Sequence, residues 1–184
     1  MTPKGDPVKL GYLIPQFPGQ THIFFWREIA ALKAMGVDVT LMSTRHPPSG
    51  LIAHEWSDEA MRRTKYLGEF GIGAVLAGLL HLRPWHWWRD IEGISSIRDV
   101  LICLPAARRM IDTCRAQNIN HVHVHSCGRA ALIAALALKM GGPTYSLTLH
   151  GPMSDYGPMQ GFKWRDASFG TVITEKLLGE IRRD

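Results

Sequence analysis

Residues 8–42 constrain the fold more than any other part of the chain. The apolar run at 8–14 predicts a buried strand, and the proline- and glycine-rich segment at 15–21 predicts a sharp turn. Residues 22–35 then show apolar side chains at helical spacing, before a second apolar run at 37–42. Parallel strands need a crossover such as this helix to join them. The segment therefore predicts a strand–helix–strand unit of a parallel sheet.

The rest of the chain continues this alternation of strands and helices. Further strands are predicted at 64–67, 121–125, 145–149 and 171–173, and helices at 58–63, 71–82, 128–140 and from Glu175 onward. Residues 95–104 and 106–117 predict helical stretches that Pro105 interrupts, either with a kink or with a restart of the helix. Residues 43–57 predict a loop over the strand ends. The pattern predicts an α/β fold, a Rossmann-like parallel sheet with helices on both faces. We expect residues 1–184 to form a single such domain.

Composition narrows the class of protein. The formal net charge of +5 permits an acidic partner, but the chain has no run of five or six basic residues, so we expect no nucleic-acid partner. Cys103, Cys114 and Cys127 are odd in number and lack C-x-x-C spacing, which is typical of reduced, mostly buried thiols. Neither an apolar export signal nor a bilayer-spanning run is evident. We therefore expect a cytoplasmic protein.

The turn after the first strand is the first candidate binding site. Ligands of open parallel sheets bind beyond the carboxyl ends of the strands. Gly19, Gln20 and Thr21 place backbone amides at the start of a predicted helix, which favours an anionic or polyhydroxylated ligand. Thr21 also fits the N-cap position of that helix, which is a purely structural role.

The same turn lacks several known nucleotide and catalytic motifs. It has no G-x-G-x-x-G pattern, and the second strand ends without a matching acidic residue, which counts against a nicotinamide or flavin enzyme. The chain also has no G-x-x-x-x-G-K-[ST] loop and no G-x-S-x-G elbow. Phosphoryl transfer and serine-hydrolase chemistry are therefore disfavoured.

His150 is the second candidate, because it directly follows a predicted strand and precedes Gly151. A polar residue at a strand's carboxyl end, beside a glycine that allows close backbone approach, is placed to touch a ligand. The alternative is a histidine that bonds a loop carbonyl. Asp155 lies in a following loop that could close over the same crevice, although such residues are more often simple turn residues.

Three histidines alternate along one predicted strand. His121, His123 and His125 should project from the same face, and neutral imidazole is a common zinc ligand. Three ligands in a row along one strand rarely complete a tetrahedral site, and no acidic or cysteine partner has suitable spacing. We therefore predict no metal, and expect His121 and His123 to pack under a helix layer with His125 at the strand's end. A zinc enzyme stays open as an alternative that metal analysis would test.

A tryptophan-rich segment follows the apolar helix predicted at 71–82. Trp85, Trp87 and Trp88 stand there with two arginines. Indoles beside basic residues favour a membrane–water interface, and indoles are also common inside domains. Two interpretations follow: a joint between two core helices, or peripheral attachment to an anionic bilayer at the inner face of the plasma membrane.

Several segments together resemble the family-4 glycosyltransferases. Residues 12–21 with 25–28 are similar to the opening of the family's amino-terminal domain. The similarity continues at 121–125, 147–152, 155–157 and 172–176. It is to the exopolysaccharide branch of the colanic-acid type, and it covers nearly the whole chain.

The resemblance implies the amino-terminal, acceptor-side half of a GT-B fold, in which two Rossmann-like domains face each other across a cleft. It implies a retaining, nucleotide-sugar-dependent glycosyltransferase that transfers a sugar to a glycan or lipid-linked acceptor in surface or exopolysaccharide biosynthesis. The nucleotide sugar is a co-substrate, and no metal or other cofactor is implied.

The resemblance also implies roles for particular residues. Gly19, Gln20 and Thr21 would line the cleft near the donor phosphates or the acceptor. His150 would approach the transferred sugar and orient it through a hydrogen bond. Asp155 and Glu175 are further candidates for substrate binding.

One part of the family pattern has no counterpart in the chain. The family's second domain carries a pair of glutamates, seven residues apart, that handles the donor, and the sequence holds no segment for that part. We therefore expect the carboxyl-terminal donor-binding domain to be absent, and the chain to be incomplete for turnover alone. It would then be a fragment, a truncated gene product or a half that joins a separate chain. The alternative function is a non-catalytic module that binds a glycan or a lipid-linked sugar.

Overall fold

A six-stranded parallel sheet organises the part of the protein that the structure describes. The computed structural model describes residues 7–48, 55–68, 71–83, 85 and 87–181. Its strands are β1 (Lys9–Gln16), β2 (Asp38–Arg45), β3 (Lys65–Tyr66), β4 (His121–Val124), β5 (Thr144–Leu149) and β6 (Gly170–Val172). Their order across the sheet is β3-β2-β1-β4-β5-β6, and every neighbouring pair is parallel. The strand order reverses between β1 and β4, which is where such sheets form a ligand crevice.

Helices cover both faces of this sheet, as the sequence predicts. They are α1 (Ile23–Ala34), α2 (Ser57–Arg63), α3 (Ile72–His81), α4 (Ile94–Gln117), α5 (Arg129–Lys139), α6 (Gln160–Arg165) and α7 (Glu175–Ile181). Short 3₁₀ turns cover Trp88–Asp90 and Met153–Tyr156. The predicted α/β fold, a Rossmann-like parallel sheet with helices on both faces, is confirmed. The short helix α6 was not predicted.

The strands place one apolar core on each face, because neighbouring side chains of a strand point in opposite directions. On one face, Leu13 of β1 and Val124 of β4 are buried with α4 and α5. On the other face, Tyr12 and Ile14 of β1 are buried with Phe25 and other residues of α1. The helix α5, buried along nearly its whole length, forms the centre of the larger core.

Of the two outcomes predicted at Pro105, a restart of the helix is wrong, because α4 runs through this residue as one element. A proline inside a helix removes one backbone hydrogen bond. Here Pro105 is buried, and its neighbours Leu104 and Ala106 are also buried in the core. Burial of this apolar face outweighs the lost hydrogen bond.

Two strands run further than their predicted limits. β1 continues to Gln16, which pairs with Arg45 at the end of β2. The hydroxyl of Thr44 also donates a hydrogen bond to the carbonyl of Pro15. The predicted turn at 15–21 and the predicted loop at 43–57 are therefore shorter than expected at their starts, and residues 49–54 of that loop lie outside the described part of the chain.

The three cysteines are in the state that the sequence predicts, as buried thiols without disulfide bonds. Cys103, Cys114 and Cys127 are buried and free. Burial raises the pKa of the Cys103 thiol to about 12 and that of Cys114 to about 11. Within the described ranges, no helix has both the length and the apolar character needed to cross a bilayer.

Replacement of Gly142, which follows α5, should destabilise the fold. An alanine Cβ at this position would lie 2.7 Å from the carbonyl oxygen of Ala137 and 2.8 Å from Ile111. We expect Gly142→Ala to lower the free energy of unfolding by about 1–3 kcal/mol, measured by urea denaturation. Gly73→Ala is the matched control, because no described residue beyond its own helix backbone and chain neighbours lies within 4 Å of its Cβ position, and alanine favours helix. Equal stability of the two variants would contradict this account of Gly142.

Candidate functional site

Hydrogen bonds fix the turn between β1 and α1, which we call the corner. The backbone N–H of Phe17 donates to the Ser43 hydroxyl at 3.1 Å, and the N–H of His22 donates to the carbonyl of Gly19 at 3.0 Å. A Cβ on Gly19 would lie 2.7 Å from Nδ1 of His22, so glycine leaves room for the imidazole ring. The prediction of Thr21 as N-cap is wrong, because the helix begins at Ile23 and His22 occupies the cap position without a capping side-chain bond.

A cavity of about 510 Å³ opens between this corner and the carboxyl ends of β4 and β5. It brings together three of the predicted site residues, which are Gly19, Thr21 and His150. His22, Phe24, Phe25, His125, Ser126 and Tyr156 also line it. The corner amides and His150 thus share one cavity at the point where the strand order reverses.

The other predicted site residues do not line this cavity. Gln20 is exposed on the turn beside Gly19. Asp155 is exposed in the 3₁₀ turn Met153–Tyr156, and Glu175 is exposed as the first residue of α7.

Two histidines occupy equivalent places at the carboxyl ends of neighbouring strands. His125 directly follows β4 and His150 directly follows β5. Nδ1 of His125 and Nε2 of His150 lie 3.3 Å apart, so one ring donates an N–H to the other. Nε2 of His125 is buried without a hydrogen-bond partner among the described residues.

Burial keeps this histidine pair uncharged. His125 is only 5% exposed, and burial, assisted by His123 and His150, lowers the pKa of its ring to about 2. Burial and the nearby His22 also lower the pKa of His150. Since both shifts oppose protonation, the site presents two neutral imidazoles at neutral pH.

Aromatic side chains shield the pair from water. The ring of Tyr12 lies 4.3 Å from that of His125, and the edge of Phe25 meets His125 at 4.7 Å between centroids. Phe25 also contacts His150, at 5.6 Å. Both phenyl and phenol rings come from the α1 side of the sheet, so the same packing that forms the smaller core also encloses the imidazoles.

Tyr156 forms the far wall of the cavity and is fixed by a buried lysine. The N–H of His150 donates to the Tyr156 hydroxyl oxygen at 3.3 Å. The Tyr156 carbonyl accepts hydrogen bonds from Lys163 Nζ at 2.9 Å and from Gln160 Nε2 at 3.1 Å. Burial lowers the pKa of Lys163 to about 8. Lys163 is therefore a positioning residue for the loop that carries Tyr156.

A second space, a groove of about 700 Å³, runs along the face of β4, β5 and β6 beside α1. His121, His123 and His125 all line it, which confirms that they project from one face. The prediction that His121 and His123 pack under a helix layer is wrong, because both are only half-buried at this groove. α1 packs on β1 and β2 instead and forms the groove's wall with Phe24, Glu28 and Leu32.

Hydroxyl groups of the next strands occupy the ring nitrogens of His121 and His123. His121 bonds Thr144 and Ser146, each at 2.8 Å. His123 bonds Ser146 at 2.7 Å and Thr148 at 2.8 Å. The Thr148 hydroxyl continues to that of Thr171 on β6 at 2.6 Å. One hydrogen-bonded chain therefore crosses three strands.

This chain of hydroxyls disfavours the zinc alternative. A metal ligand needs an available ring nitrogen, and both nitrogens of His121 and of His123 already have partners. In the part of the chain that the structure describes, no three His, Cys, Asp or Glu side chains are grouped to hold a metal ion.

His22 was not predicted as a site residue, and His125 was considered only as a zinc ligand in the metalloenzyme alternative. The rule that selected His150, a polar residue directly after a strand, applies equally to His125 after β4. His22 is next to Thr21 at the predicted corner, and its half-buried ring stacks on Phe17 at 6.1 Å. The enclosure of His125 by Tyr12 and Phe25 depends on tertiary contacts, which sequence spacing does not report.

Comparisons with known proteins leave the family open. No protein-family model matches the chain, and no curated protein is significantly similar to it.

The buried histidine pair should make the fold sensitive to acid. The folded state keeps His125 neutral, whereas the unfolded chain takes up a proton below the ordinary pKa of 6.5. Stability is therefore full above pH 6.5 and falls as the pH decreases, by about 2 kcal/mol near pH 5 from His125 alone. Urea denaturation as a function of pH measures this slope. His125→Gln should reduce this slope without abolishing it, because burial also lowers the pKa of His123, to about 4. A variant that keeps the full slope would show that His125 does not contribute to the acid sensitivity.

Proposed function

We propose that the chain is the acceptor-side domain of a retaining, nucleotide-sugar-dependent glycosyltransferase of the GT-B type, acting in surface or exopolysaccharide biosynthesis. The supporting observation is the shared cavity of Gly19, Thr21 and His150 at the switch point of a Rossmann-like sheet. The resemblance of residues 12–21 and 147–152 to family-4 glycosyltransferases points to the same activity. A glycan or lipid-linked acceptor and a nucleotide-sugar donor are the proposed ligands.

In this proposal His150 orients a sugar rather than forming a bond to it. Its Nε2 atom bonds His125, and its Nδ1 atom has no hydrogen-bond partner among the described residues. A neutral imidazole can donate or accept a hydrogen bond, and sugar hydroxyls do both. The dry aromatic surroundings strengthen such a bond, because little water competes for it. The role is one of positioning and electrostatic stabilisation.

The corner of Gly19 and Thr21 supplies the second contact. This corner directly precedes the amino-terminal end of α1, a helix of 12 residues that begins at Ile23, so a ligand held there faces the positive end of the helix dipole. Such a position favours a phosphate or a polyhydroxylated ligand. Gln20, Asp155 and Glu175, which do not line the cavity, would contact only the part of a substrate that extends out of it.

The second candidate function, a non-catalytic module for a glycan or lipid-linked sugar, is favoured by the groove along β4, β5 and β6. Its hydroxyl and imidazole groups lie beside the exposed ring of Phe169. The centre of this ring is 6.1 Å from that of His121 and 6.0 Å from that of His123, and it is stacked with both. Polar groups beside an aromatic face suit a sugar ring. Titration of the chain with an acceptor glycan distinguishes the two sites. Phe169→Ala should weaken glycan binding if the groove is the site, and it should leave binding unchanged if the cavity of Gly19, Thr21 and His150 is the site, because Phe169 does not line that cavity.

Loss of the His150 side chain should weaken ligand binding without loss of the fold. We expect His150→Ala to reduce the affinity for an acceptor glycan or a nucleotide sugar by about tenfold, measured by titration calorimetry. His81→Ala is the matched control, since His81 lies on α3 outside the cavity. Circular dichroism should show the same fold for both variants. Wild-type affinity in His150→Ala, or no binding of any such ligand by the wild-type chain, would contradict the proposal.

A further inference from the structure

The helix α3 has an apolar sequence, and its described side chains are covered on one side. Its sequence, Ile72–His81, contains no Asp, Glu, Lys or Arg. Gly78 faces α4, because a Cβ there would lie 3.2 Å from Leu104. Val75 packs against the larger core, and Leu82, directly after the helix, is buried. These residues anchor one face of α3 on the domain.

The opposite face of α3 is an exposed apolar ridge. Leu76, Leu79 and Leu80 are three and four residues apart, so they share one face, and Leu80 is 86% exposed. The connection to α4 adds Trp85 and Trp88, which are 65% and 67% exposed. We call these five residues the α3 surface. A surface helix of a globular protein normally carries polar residues on its outer side, so this ridge is a candidate contact surface.

The three tryptophans of residues 85–88 therefore divide between the two interpretations of that segment. Trp87 is half-buried and packs against the larger core, as a joint between helices would. Trp85 and Trp88 point outward instead. The contact surface consists of α3 together with two of the indoles, rather than of the indoles alone.

Beside the α3 surface, arginines are exposed, whereas most carboxylates bond to other parts of the domain. Arg83 places its guanidinium 5.4 Å from the Trp85 ring centre, and Arg89 and Arg98 are exposed. The nearby carboxylates are engaged with the rest of the domain: Asp90 pairs with Arg165, Glu92 accepts the N–H of Met159 at 3.0 Å, and Asp99 pairs with Arg129 at 2.8 Å. Asp90 and Asp99 are neutralised by their arginine partners, whereas Glu92 is exposed and keeps its negative charge. Arg83, Arg89 and Arg98 outnumber it, so the net charge of these residues is positive.

We propose that the α3 surface docks on a bilayer that contains anionic phospholipids. An apolar ridge flanked by indoles and arginines inserts at the boundary between headgroups and acyl chains, where arginines meet lipid phosphates. The helix has 10 residues, so it lies along the interface and does not cross it. This proposal stands on α3 and its flanking residues, and it does not depend on the proposed sugar chemistry.

Co-sedimentation of the whole chain with vesicles tests the proposal. The wild-type chain should bind vesicles of phosphatidylcholine and phosphatidylglycerol, bind pure phosphatidylcholine vesicles more weakly, and lose affinity as salt increases. Leu80→Glu should lower the affinity for anionic vesicles about tenfold or more. It removes apolar area that the bilayer would bury, and it adds a negative charge that the anionic lipids repel. Trp88→Ala should lower it in the same direction.

Met35→Glu is the matched control. Met35 is 77% exposed at the end of α1, so the substitution adds the same charge at an equally exposed apolar position outside the α3 surface. It should leave vesicle binding within about twofold of wild type. Thermal melts should show that both glutamate variants are folded, as expected for exposed positions.

Three results would overturn the proposal. The first is a wild-type chain that does not bind anionic vesicles. The second is an equal effect of Leu80→Glu and Met35→Glu. The third is a wild-type chain that is dimeric without lipid in analytical ultracentrifugation and that Leu80→Glu makes monomeric. The ridge would then be a contact between two copies of the chain.

Discussion

The parallel pairing of β1 with β4 is the constraint on which the rest of the structure depends. From β1 the chain moves to β2 through α1 on one face, and from β4 it moves to β5 through α5 on the other. The two crossovers leave a crevice between them at the carboxyl ends of the strands. The corner after β1 and the histidines after β4 and β5 meet there because the pairing brings those three strand ends side by side. His125 is part of this pairing, since its N–H donates to the carbonyl of Leu13 at 2.9 Å.

Desolvation then determines the chemistry that this crevice offers. Tyr12 and Phe25 belong to the smaller core and also enclose His125, so the packing that stabilises α1 on the sheet also keeps the imidazole neutral. The Tyr12 hydroxyl donates to Glu28 at 2.8 Å, which provides a partner for this otherwise buried phenol. A crevice of this kind holds and orients a polar ligand through hydrogen bonds, and it presents no cationic histidine at neutral pH.

The sequence predicts the sheet well because its strands and helices have strong local signals. The apolar runs and their helical crossover predict β1, α1 and β2, and the apolar helix between His125 and Gly141 predicts α5. Local sequence patterns predict wrongly where contacts between distant segments determine the structure. Pro105 predicts an interrupted helix, yet the burial of its neighbours keeps α4 continuous. His121 and His123 alternate correctly toward one face, but the sequence does not show that α1 leaves that half of the sheet open. His150 could be chosen from its position alone, whereas its bond to His125 required the order of the strands.

The charge state of the two imidazoles tests the central claim most directly. Nitrogen-15 NMR of the histidine rings distinguishes a neutral ring, with one protonated and one bare nitrogen, from a charged ring. We expect His125 to be neutral at pH 6.5, where half of an unperturbed histidine is charged, and to stay neutral on further acidification while the protein is folded. We expect His150 to be less than half charged at pH 6.5, because its pKa is lowered. A His125 ring that titrates with a pKa near 6.5 in the folded protein would contradict the central claim, because the crevice would then be open to water and the two strand ends would not form one enclosed site.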